Sequence, residues 1–212
     1  FEAVRNSSSV RTIINVTTDK CYENREWVWP YREDELLGGH DPYSASKACA
    51  EILTSSYRRS FFNEANIEIA SARAGNVIGG GDKASDRLVP DFCNAFESGN
   101  SFEVRNPLAS RPWQHVMEPL HGYITLAERL ATNPKTFAEP WNFGPSLENT
   151  RSVGEIADFM CNYFGIPKWS LAKGAQPHEA LSLALDSSKA RTRLGWVPRW
   201  NVDIALARTL DW

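Results

Sequence analysis

The strongest constraint on the fold is a β-branched run, a capped helix and a second apolar run, following one another within the first third of the chain. Val10-Arg11-Thr12-Ile13-Ile14-Asn15-Val16 has the composition of an interior parallel strand. Asp41 is a good N-cap and Pro42 a good first helical residue. From there Ala45, Ala48, Cys49, Ile52, Leu53, Ser56 and Tyr57 mark one face of a helix ending near Phe62. Residues 67–72 supply the next strand. Parallel strands need a crossover, so this alternation predicts a doubly wound α/β sheet.

Beyond Gly81 the character changes. Short helices over about 86–98, 118–131, 153–164, 187–194 and 202–210 alternate with short apolar pieces rich in Trp and Pro. Residues 1–81 therefore read as part of a Rossmann-type sheet, and 82–212 mainly as a smaller mixed α/β lobe carrying a binding site. The chain has 212 residues, 42% of them hydrophobic and 23% charged, which is enough to bury a core. No apolar run approaches the ~20 residues of a membrane span. A net charge of −3 without a Lys/Arg block argues against nucleic acid or an anionic membrane as partner. Cys21, Cys49, Cys93 and Cys161 form no C-x-x-C pair, which suits reduced thiols in the cytoplasm, with no metal expected.

Tyr43 and Lys47, four apart at the helix start, share one face. An ammonium beside the phenol favours phenolate and moves a pKa near ~10 towards neutrality, which suits a base taking a proton from an alcohol. Thr18, in the strand-end block Thr17-Thr18-Asp19-Lys20-Cys21-Tyr22, can complete the hydrogen-bond set around that alcohol. The glycines of Arg73-Ala74-Gly75-Asn76-Val77-Ile78-Gly79-Gly80-Gly81 lack the spacing of a dinucleotide phosphate loop, and no helix signal follows them directly. Arg105 and Arg111 carry planar forks suited to a diphosphate.

Thr18, Tyr43 and Lys47 together resemble the Ser/Thr–Tyr–Lys centre of the short-chain dehydrogenase/reductases, in their extended, sugar-nucleotide branch. The resemblance runs over essentially the whole chain, through D-P-Y-S-A-S-K, R-A-G-N-V-I-G, R-P-W-Q-H-V, W-N-F-G and the late L-G-W-V-P. It implies NAD as cofactor, with Tyr43, Lys47 and Arg73 on the cofactor side. It implies a nucleotide sugar as substrate, with Asn76, Arg105, Arg111, His115, Asn142 and His178 around it. Asp19 and Lys20 fall where 4,6-dehydratases of the branch carry an acid and a base for elimination across C5–C6. Most dehydratases for dTDP- or GDP-hexoses have Asp-Glu there. The D-K-C-Y-E-N form is similar to the members acting on a CDP-hexose, which makes CDP-glucose the implied substrate. Lys83 departs from the pattern, which has an aromatic residue after G-G-G-D.

By that resemblance Tyr43, with Thr18 on the same oxygen, takes the C4 hydroxyl proton while hydride passes to NAD+. Lys47 lowers the Tyr43 pKa and holds the nicotinamide ribose. Asp19 and Lys20 then handle the C5 proton and the departing C6 hydroxyl, with their division of roles open. Hydride returns to C6, giving a 4-keto-6-deoxy sugar. The glycine-rich turn for the cofactor diphosphate matches nothing here, so the chain is read as the C-terminal portion of the family pattern, starting in mid-domain. About three βα units (~100 residues) are expected before Phe1, and the 212 residues alone are expected to bind NAD+ poorly and not turn over. The Tyr43 helix is the expected homodimer contact. The alternatives are another epimerase or dehydratase of the branch, or an inactive piece with only a binding or dimerisation role.

Overall fold

A computed structural model describes residues 1–174, 180 and 182–212. Strands form where the two apolar runs lie, and a third joins them from much later in the chain. β1 (Thr12–Val16) pairs in parallel with β2 (Glu68–Ala74), while the ladders β3 (Val77–Ile78) and β4 (Gln114–His115) pair with each other. β5 (Pro140–Phe143) lies parallel to β2 on its other side, with Ala72 opposite Trp141, so the order is β1-β2-β5. The central β2 is buried from Ile69 onward. β1 is an edge strand among the described residues, half-buried with Val16 exposed, although its composition is that of an interior strand.

The crossover from β1 to β2 is α1 (Pro42–Tyr57), which begins as the sequence predicts: Asp41 Oδ1 accepts the Ser44 N–H at 3.0 Å. A wider turn, Arg58–Phe62, extends it. Its buried face is not the expected apolar one. Ser44, Ala48, Glu51 and Thr54 point inward, whereas Ile52 and Leu53 are 57% and 50% exposed. The inward polar groups all find partners, among them Asn15, whose Nδ2 donates to Thr54 Oγ1 at 2.7 Å. Burial of a satisfied polar group carries little penalty, so periodicity of apolar residues misassigns this helix.

Alternation along β2 separates two environments. Ala70 and Ala72 pack with Leu126 and Leu130 in an apolar cluster completed by Trp141, Phe143 and Trp196. Ser71 and Arg73, pointing the other way, meet Glu51 of α1. Among the described residues the other helices of eight residues or more are α2 (Leu88–Glu97), α3 (Met117–Thr132), which supplies Leu126 and Leu130, α4 (Val153–Phe164) and α5 (Val202–Asp211). α4 starts with a capping box between Ser152 and Glu155. A second core joins α2, α4 and α5 through Phe92, Phe102, Ile156, Met160 and Leu206. α3 and β5 thus belong with the β1-β2 sheet although they lie beyond residue 81. Among the described residues no helix is long and apolar enough to cross a membrane.

Candidate active site

A cleft of about 640 Å³ opens at the C-terminal ends of β1 and β2, where side chains from both packed units meet. Open α/β sheets characteristically bind ligands at such strand ends. Thr18, Asp19, Lys20, Tyr43, Asn76, Arg105 and Arg111 all line it, although they are spread over ninety residues of sequence.

The chain leaves β1 through one tight 3₁₀ turn, Asp19–Cys21, capped by Thr18. Thr18 Oγ1 accepts the Lys20 N–H at 3.4 Å and donates to Asp19 Oδ1 at 3.1 Å. The turn sends Lys20 out into the cleft and buries Asp19, which is only 5% exposed. Burial pushes the Asp19 carboxyl from its ordinary 3.8 up to about 6, against the lowering effects of Thr18, Lys20 and Arg111. Gly75 permits this arrangement. A Cβ there would stand 2.6 Å from Pro112 Cγ and 3.3 Å from Asp19 Oδ2.

Tyr43 sits in the first turn of α1, 51% exposed at the cleft, with Lys47 Nζ 5.7 Å from its ring centroid. Across the cleft Arg111 is buried and donates to the carbonyls of Ser110 at 2.8 Å and Ala180 at 2.6 Å. Arg105 is more exposed. It pairs with Asp86 Oδ1 at 3.1 Å, and Asp86 itself sits at φ 61°.

Lys47 stands beside Tyr43 without lining the cleft itself, and three further expected site residues lie elsewhere. Arg73 is not at the cofactor side of the cleft: it is 2% exposed, and donates to Glu51 Oε2 and the Tyr22 hydroxyl at 2.8 Å each and to the Glu33 carbonyl at 3.1 Å. Its two terminal nitrogens are committed to these groups, and the side chain does not line the cleft. His115 packs edge-on to Trp200, its ring centroid 4.8 Å away, and its Nδ1 accepts the Met117 N–H at 3.2 Å. Burial lowers its pKa, which keeps that nitrogen an acceptor. Asn142 is fully buried: its Oδ1 accepts from Tyr22, and its Nδ2 donates to the carbonyls of Tyr31 and Asp186. His178 lies outside the described residues.

The sequence reading missed Tyr123, which reaches the cleft from α3. Burial, with Asp19 nearby, pushes its phenol up to about 12, so it stays protonated and able to donate. In the sequence it looks like one more apolar position of an amphipathic helix. Asp86 and Glu51 were also missed. Each is an ordinary charged residue whose partner is distant in sequence.

The family described as GDP-mannose 4,6 dehydratase matches residues 1–209. CDP-glucose 4,6-dehydratase of Salmonella typhimurium is 51% identical over the whole of this chain, which spans 61% of that relative's length. A dTDP-glucose 4,6-dehydratase of Streptomyces antibioticus is 28% identical over 96% of this chain and 57% of its own length. Among solved structures, a dTDP-glucose 4,6-dehydratase from Streptomyces venezuelae with NAD bound superposes with a TM-score of 0.84 at 23% identity. That match covers all of this chain and 62% of the other. At that identity the likeness shows the fold alone, a Rossmann-type α/β sheet with a smaller mixed α/β lobe.

Proposed function

This chain belongs to the GDP-mannose 4,6 dehydratase family, and on that premise we propose that it carries the catalytic groups of an NAD-dependent dehydratase. The reaction converts CDP-D-glucose to CDP-4-dehydro-6-deoxy-D-glucose and water. One observation carries the reading beyond family membership. Asp19 and Lys20 face the same cleft as Tyr43, and burial favours the protonated form of the carboxyl. Simple epimerisation needs no such acid–base pair. The preference for a cytidine nucleotide rests on the 51% identity with the Salmonella protein.

The donors present suit the nicotinamide end of NAD: an exposed phenol with an ammonium beside its ring, lining the same cleft as a strand-end hydroxyl. Bound NAD supplies a hydride acceptor for C4 and a hydride donor for C6. Tyr43 takes the proton of the C4 hydroxyl, with Thr18 holding the same oxygen, and Lys47, beside the Tyr43 ring, binds the ribose. The resulting ketone acidifies C5–H, which Lys20 removes. Asp19 gives its proton to the departing C6 hydroxyl, so that water leaves rather than hydroxide. The raised Asp19 pKa supports this division of labour. Arg105 and Arg111, with Asn76, hold the substrate diphosphate by charge-assisted hydrogen bonds. Residues 1–81 serve mainly the cofactor and 82–212 mainly the sugar nucleotide.

Two copies associate through α1 in this reading, because its outward face carries Cys49, Ile52 and Leu53. We place the enzyme in the cytoplasm, where four free thiols persist. Single-turnover absorbance in the intact protein tests the catalytic roles. Tyr43→Phe should form no enzyme-bound NADH, whereas Lys20→Ala should form it and stall before water loss. Loss of the NADH signal in Lys20→Ala removes Lys20 from the elimination step.

A further inference from the structure

Glu51 lies two turns below Tyr43 on α1, 4% exposed, with no side-chain route to the substrate cleft. Three donors converge on its carboxylate. Thr17 Oγ1 donates to Oε1, while Ser71 Oγ at 2.6 Å and Arg73 at 2.8 Å donate to Oε2. Burial works to raise the Glu51 pKa, but these three bonds outweigh it and hold it below its ordinary value. Arg73 passes the constraint on, donating also to the Tyr22 hydroxyl at 2.8 Å. The 3₁₀ turn that presents Thr18, Asp19 and Lys20 is therefore held at both ends by one ion pair. Thr17, just before the turn, bonds Glu51 directly, and Tyr22, just after it, bonds Arg73.

We propose that Glu51 is a positioning residue that fixes the Thr18–Lys20 turn against the Tyr43 helix, so that the oxidation groups and the elimination groups address one sugar. A buried ion pair is weak evidence of a gain in stability, since well-packed apolar groups often serve as well. What this pair does supply is direction. Its carboxylate only accepts, so a glutamine here keeps one accepting oxygen, loses the charge that pairs with Arg73, and makes one neighbouring hydroxyl turn from donor to acceptor. Reacting atoms misplaced by about 1 Å can lose ~100-fold in rate.

The inference rests on the dehydratase reading, and the test separates the two. Thr17→Val keeps side-chain volume and leaves the Glu51–Arg73 pair in place, whereas Glu51→Gln removes the charge of that pair and reverses the bond to Thr17. In the intact protein both should slow enzyme-bound NADH formation by roughly 10- to 100-fold, with KM for the nucleotide sugar within about 2-fold. Crystal structures of both variants should show the Thr18–Lys20 turn displaced from Tyr43 by on the order of 1 Å. If the turn superposes on the parent and only thermal stability falls, Glu51 is a structural residue and the proposal is overturned. Absence of dehydration in the parent overturns the dehydratase reading instead, and the two crystal structures still decide the role of Glu51.

Discussion

The Tyr22 hydroxyl donates to Asn142 Oδ1 at 2.7 Å, tying the residue that follows the Asp19–Lys20 turn to β5 at the far side of the sheet. Asn142 has nothing left over for a ligand. Its amide nitrogen donates to two carbonyls, at 2.9 and 3.2 Å, and its backbone N–H donates to the Glu33 carboxylate at 2.9 Å. The asparagine of W-N-F-G is thus a rivet beneath the site. It matters to the chemistry by holding the turn from behind.

Asn142→Leu should accordingly lower folding stability by about 3 kcal/mol, since it strands several buried polar groups that each cost about 1–3 kcal/mol unpaired. Urea unfolding measures this. At concentrations where the variant is folded, its affinity for CDP should match the parent. Unchanged stability with weakened CDP binding would falsify the structural assignment.

Asp19 makes a prediction of opposite sign to most carboxylates. Its folded pKa, about 6, lies above its ordinary 3.8, so the folded state holds the proton more tightly than the unfolded state does. Stability from this group is greatest below pH ~4 and falls as pH rises towards 6, after which the deficit is constant. The difference corresponds to an upper bound of about 3 kcal/mol. Asp19→Asn should therefore raise Tm at pH 8, and the gain should vanish near pH 4. A variant that melts below the parent at pH 8 contradicts the burial argument.

Arg105 and His115 are both expected near the substrate, but Arg105 lines the cleft and His115 does not. Arg105→Ala should weaken CDP binding by about tenfold, or ~1.4 kcal/mol, at low salt, with the gap closing as salt rises. His115→Gln should leave that affinity unchanged, because the ring faces Trp200. Isothermal titration at two salt concentrations distinguishes them, and equal losses in both variants would place His115 at the ligand after all.

Much of the scaffold was legible because its signals are local. The Asp41-Pro42 start of α1 and the Ser152–Glu155 box of α4 each depend on residues within one turn. The pairing of β5 with β2 is not local. Four residues containing Pro and Trp give no strand signal of their own, and join the sheet only through the packing of Trp141 and Phe143. The same holds for function. Thr18, Tyr43 and Lys47 follow from spacing along one strand end and one helix start, whereas Asp19 and Lys20 are implied by the family resemblance. Arg73, His115 and Asn142 have side chains suited equally to a ligand and to buried neighbours. The side-chain partners of Arg73 and Asn142 stand far away in sequence, Tyr22 among them.

The most direct measurement is turnover by the intact protein of CDP-, dTDP-, GDP- and UDP-glucose in the presence of NAD+, with the sugar product identified by NMR. The expected result is CDP-4-dehydro-6-deoxy-glucose, formed with a higher kcat/KM than any other nucleotide gives. A 4-epimer as product, or dTDP-glucose turned over as well as CDP-glucose, contradicts it.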